Sequence, residues 1–143
     1  MHRHLLALAV PALLLIAPAA HADTQTYKAT MNAASEVPPK NSPGTGSCTV
    51  TLDPANKTIS WSVSWQDLSG APTMAHFHGP AAPGKNAPPA VWIGKAPMNS
   101  PATGRATLTD TQMAQLQAGK WYCNVHTEKN PAGEIRGQLT RGD

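Results

Sequence analysis

Residues 58–66 carry the clearest pattern in the chain: Ile59, Trp61, Val63 and Trp65 alternate with Ser60, Ser62 and Ser64. Successive side chains of a strand point to opposite faces, so this segment reads as a strand with one buried face. Residues 47–52 alternate in the same way, with Cys48, Val50 and Leu52 on one face. Asp53-Pro54-Ala55-Asn56 between them is turn-forming, so the two segments should make a hairpin. Further strands are expected at 26–33, around Met74–Gly79, at 90–95, at 104–108, at 120–126 and at 134–139. The last two flank turn residues 128–133 and should form a C-terminal hairpin. Thr109 offers an N-cap, Met113 and Leu116 have helical spacing, and Gly119 can end the segment, which predicts one short helix. The expected fold is therefore all-β: an antiparallel β-sandwich or partly open barrel with one short helix.

The same alternation assigns faces. Trp121, Cys123 and Val125 share one side and read as core, leaving Tyr122, Asn124 and His126 on the other. Ala75 and Phe77 read as core, leaving Met74, His76 and His78 opposite. In the last strand Ile135 and Leu139 point in, and Glu134, Arg136 and Gln138 point out. An outward polar patch is expected from His76, His78, His126, Asn124, Glu134 and Arg136, with Met74 nearby. Residues 80–89, rich in Pro, Gly and Ala, read as an ordered surface loop or a mobile flap.

The N-terminus changes the setting. Met1-His2-Arg3-His4 is basic, residues 5–16 are apolar, and Ala20-His21-Ala22 fits a small-x-small cleavage site. This is the pattern of a cleaved secretory signal peptide over residues 1–22, too short in its apolar part for a spanning helix. The expected location is the periplasm or outside the cell, with no membrane insertion of the mature chain. Residues 23–143 are then a single domain of about 120 residues, enough for one core. The formal charge of +3 loses Arg3 with the leader, and no basic run stands out, so nucleic acid is not an expected partner. Cys48 and Cys123 are the two cysteines. In an exported chain an even pair reads as a disulfide, here closing a loop of roughly 75 residues worth about 4 kcal/mol.

Export also sharpens the histidines. His2, His4 and His21 fall in the leader, so every mature histidine is His76, His78 or His126. Three imidazoles suit Zn(II) or Cu(II), and a nearby Met74 sulfur would favour Cu(I). Copper is the favoured ion, with zinc the alternative and no cofactor at all a third case. Asn124 and Glu134 are candidates for an extra ligand or for neighbours of the site, Glu134 as an acceptor that fixes a ring tautomer. In the competing reading the imidazoles only bond loop carbonyls and order the Pro-rich segment.

Ser35-Glu36-Val37-Pro38-Pro39, the strand at 58–66, His76-Phe77-His78-Gly79-Pro80-Ala81, Trp121-Tyr122-Cys123-Asn124-Val125-His126-Thr127 and the segment from Asn130 to Leu139 resemble, in order, the CHRD domain named for its occurrence in chordin. The resemblance covers nearly the whole mature chain and implies a β-rich extracellular domain of this size. It implies little about activity: the growth-factor role of chordin accompanies modules this chain lacks. Cys48 and Cys123 stand where such domains often carry apolar or small residues. The His-x-His strand is also similar to that of copper-zinc superoxide dismutase, but three mature histidines cannot supply its two metals.

Three function classes follow. The first is an exported binding module for a transition metal or a protein partner. The second is a structural or protein-interaction domain. The third is a mononuclear copper redox enzyme, for which no Ser-His-Asp, Cys-His or paired-carboxylate signature speaks. No catalytic residue is assigned, and the oligomeric state is open.

Overall fold

The computed structural model of the protein describes residues 15–18 and 22–142. The expected leader lies outside the described residues, apart from 15–18 and Ala22. The strands are β1 (Gln25–Asn32), β2 (Thr45–Asp53), β3 (Thr58–Gln66), β4 (Pro72–His78), β5 (Pro89–Lys95), β6 (Ala102–Thr107), β7 (Tyr122–Thr127), β8 (Ile135–Gln138) and β9 (Thr140–Gly142). The helix is α1 (Asp110–Gln117), and a single 3-10 turn covers Ala33–Ser35. All strands join one antiparallel sheet in the order β5-β4-β7-β8-β1-β2-β3-β6, with β9 paired to β1. The sheet curls into a nearly closed barrel, so the all-β expectation holds in its barrel form.

Alternation builds the interior. Tyr27 and Met31 of β1, Cys48, Val50 and Leu52 of β2, and Ile59, Trp61 and Val63 of β3 are all buried. Phe77 of β4 sits between two indoles, edge-on to Trp61 at 5.4 Å and stacked with Trp121 at 6.1 Å. Small barrels are filled by side chains in this way, and the interior is a core rather than a channel. The expected β2–β3 hairpin runs in unbroken register from Thr45↔Gln66 to Asp53↔Thr58. The expected C-terminal hairpin is β7–β8, from Tyr122↔Gln138 to Val125↔Ile135. Thr109 caps α1 with a reciprocal pair of bonds: its hydroxyl accepts from Gln112 N at 3.1 Å, and its own N–H donates to Gln112 Oε1 at 3.0 Å.

Two expectations are corrected. Cys48 and Cys123 do point inward, but they are free buried thiols, not a disulfide. β8 and β1 lie between β7 and β2 in the sheet, so the two thiols meet across the interior. Burial first, and then the neighbouring Cys48 thiol, push the Cys123 thiol well above its ordinary range. The second correction concerns the outer patch. His76, His78, His126, Asn124, Glu134 and Arg136 are all buried. Alternation tells which face a side chain leaves by, and here loops from three parts of the chain cover that face.

The cover is anchored at its root. Gly79 passes so close over Trp121 that a Cβ there would lie 2.3 Å from the indole Cδ1, so only glycine lets the chain turn off β4 at this point. Beyond it, Ala81 N donates to Lys120 O at 2.8 Å, and Gln138 Nε2 donates to Ala81 O at 2.8 Å. The Pro-rich segment is an ordered lid laid over the histidine face.

Candidate metal centre

β4 and β7 are neighbours, with Met74 opposite His126, His76 opposite Asn124 and His78 opposite Tyr122. This register brings two imidazoles of one strand beside the third on the next. His76, His78 and His126 each offer a ring nitrogen within 4.8 Å of the others, and the residues are only 3%, 8% and 6% exposed. Nitrogens bound to one tetrahedral Zn(II) lie about 3.4 Å apart, given bonds of about 2.0–2.1 Å, so small rotations of these rings would close the set on one ion.

The loops fix the tautomers. His78 Nδ1 donates to Ala87 O at 2.9 Å, and His126 Nδ1 donates to Pro131 O at 2.8 Å. Each bond uses the Nδ1 proton of a neutral ring and leaves Nε2 with its lone pair. His76 Nδ1 lies 3.1 Å from His126 Nε2, which fits an N–H donated from His76. His76 Nε2 and His78 Nε2 are then buried acceptors, and neither has a hydrogen-bond partner among the described residues. Buried polar atoms are almost always satisfied, so two orphans in one cluster call for a reason.

Electrostatics keep the rings neutral. Burial, and then the other two imidazoles, lower His76 to about 4. Burial also lowers His78 and His126, against the opposing pull of their carbonyl bonds. Three neutral imidazoles are ready ligands, since no proton has to leave before a metal binds.

The walls differ in kind. His78 stacks on Tyr122 at 4.7 Å with 3° between the planes. The Arg136 guanidinium covers the Tyr122 ring at 3.5 Å and donates to Lys85 O at 2.6 Å and Asn86 Oδ1 at 3.0 Å. Tyr122 Oη donates to Ala87 O at 3.2 Å and accepts from Ala87 N at 3.1 Å. On the other side His76 meets the ring of Trp92 edge-on at 4.2 Å.

The remaining expected site residues are placed elsewhere. Asn124 Nδ2 donates to Glu36 Oε1 and, at 3.1 Å, to Ile135 O. Glu134 does not serve the histidines. Its carboxylate accepts from Ser42, Ser69, Thr127 and Asn130, tying together loops at one end of the barrel. Backbone carbonyls of Ala87 and Pro131 hold the imidazoles in its place. Met74 is half-buried, opposite His126.

Pattern reading missed Glu36 and Trp92. Glu36 is buried against Asn124, and burial pushes its carboxyl up to about 7 although Arg136, Asn124 and Lys40 pull it down. Gly133, at φ +124, lets the turn pass over this pair, because a Cβ there would lie 2.5 Å from Asn124 Nδ2. A lone acid in a Pro-rich loop gives no periodic signal of burial.

The family model of the CHRD domain matches residues 27–139. The chain belongs to the CHRD domain family. No curated protein and no solved structure matches it. The match runs from β1 to the residue after β8, so the histidines, the paired Glu36 and Asn124, and both cysteines all lie inside the CHRD domain.

Proposed function

We propose that this CHRD domain is an exported metal-binding module that holds one transition-metal ion on His76, His78 and His126. The observation that carries the reading is the pair of buried, unpartnered Nε2 atoms beside a third imidazole whose tautomer is pinned by a backbone carbonyl. A donor set of three neutral nitrogens suits copper or zinc, and copper leads because Cu(II) stands highest in the divalent affinity order. Met74, opposite His126, is the candidate fourth ligand for Cu(I). Export follows from the leader pattern of residues 1–22.

A second reading has its own observation. The bonds from His78 to Ala87 O and from His126 to Pro131 O also tie two loops to the sheet, so the imidazoles order a surface that a protein partner recognises. A copper redox enzyme would need a substrate beside the ion, and the ordered lid over the histidine face disfavours it.

Titration of the purified, tag-free mature chain with Cu(I), Cu(II) and Zn(II) separates these readings. One equivalent bound by the parent chain, and lost in His76→Ala, His78→Ala and His126→Ala, is the expected result. Binding that is equal in all four proteins would move the ion elsewhere. No binding tighter than about micromolar, the range of roughly −8 kcal/mol, would leave the imidazoles as scaffold.

A further inference from the structure

β5 is an end strand of the sheet and pairs only with β4. Its register against β4 slips twice: Ala75↔Gly94 is followed by His76↔Trp92, and Phe77↔Val91 by His78↔Pro89. Ile93 is the extra residue of the first slip. It stays with the core, 8% exposed, while Trp92 is delivered to the histidine face. Re-aiming a side chain next to a site is a common use of a bulge. Trp92 lies with its ring 4.2 Å from that of His76, yet is 53% exposed. Tyr122, Asn124 and Arg136, by contrast, are buried, and Met74 is half-buried. The lid side is held by hydrogen bonds to Ala87, Lys85 and Asn86. On the Trp92 side the half-exposed indole lies against His76, and the ring also faces the Lys95 ammonium at 5.8 Å.

We infer that Trp92 is the gate of the metal centre: an ion reaches and leaves the three imidazoles past its indole, and the ring sets how fast the ion exchanges with an outside chelator. This deepens the metal-binding reading above and rests on it. The gate has no part in holding the ion, so its removal should change rates and leave stoichiometry alone.

The test uses the mature chain loaded with one equivalent of Cu(II) or Zn(II) and mixed rapidly with excess EDTA. Trp92→Ala should bind the same amount of metal as the parent chain and release it roughly tenfold faster, with Trp92→Phe between the two. Cu(II) should quench the emission of the parent chain, which has four tryptophans, more strongly than that of Trp92→Phe. Trp65→Phe, at a half-buried tryptophan outside the cluster, should match the parent in release. Parent-like release from Trp92→Ala would overturn the gate while leaving the metal centre standing. Loss of stoichiometric binding in Trp92→Ala would also overturn it, by making the indole part of what holds the site. Failure of the parent chain itself to bind metal would remove both proposals together.

Discussion

Glu134 shows how much one buried side chain can do when it is fully bonded. Burial alone would raise its carboxyl, but hydrogen bonds from Ser69, Thr127 and Asn130 outweigh that and hold it at about 2, against an ordinary 4.5. A carboxyl lowered by folding adds stability that is fully present above its unfolded pKa and is lost as pH falls through its folded one. The gap corresponds to roughly 3 kcal/mol. In urea unfolding at neutral pH, Glu134→Gln should therefore be less stable than the parent chain by about that order. The difference should narrow as the pH is lowered from 4.5 towards about 2. A difference that stays constant over that range would mean that the carboxylate charge is not what stabilises the loops. Glu36 is the opposite case, a carboxyl kept near neutrality because its burial is only partly answered. Neither role was legible beforehand. A single acid in a turn has no period, and its partners Ser42 and Ser69 come from distant parts of the chain.

At the scale of elements the sequence was far more informative. β3 matches its expected bounds because four apolar residues alternate with three serines, and that pattern suits only a strand with one buried face. The inward parity of Trp121, Cys123 and Val125 was equally readable and is what the barrel uses. β9 escaped because Thr140-Arg141-Gly142 has no apolar residue to mark it. The bulges of β5 escaped because they are properties of a pairing, and their effect, Trp92 beside His76, depends on two strands together. A bond between the imidazoles and the Pro-rich loop was legible as one of two readings, but the burial of the whole face was not, since composition says nothing about how much of a sheet a loop covers. The root of the loop gives a direct test. Gly79→Ala would drive a methyl into Trp121, and overpacking of this kind costs about 1–3 kcal/mol. Urea unfolding should show that loss. A variant as stable as the parent would mean that the lid can lift without disturbing the barrel.

For the whole molecule, a metal held between β4 and β7 would brace the sheet as a ligand of the folded state alone. At free metal a hundredfold above Kd, the stabilisation is about 2.7 kcal/mol. Melting of the parent chain should thus move upward with added Cu(II) or Zn(II), and melting of His126→Ala should not. An equal rise in both proteins would point to binding away from the imidazoles. The barrel as a whole is nearly closed, with β5 and β6 as its two ends. A free strand end normally invites a second chain to pair with it. β5 begins at Pro89, which has no N–H to give, ends at the charged Lys95, and is bent by two register slips. The irregularity that aims an indole at a histidine therefore also spoils the edge as a template, and protects an open barrel from adding strands of its own kind.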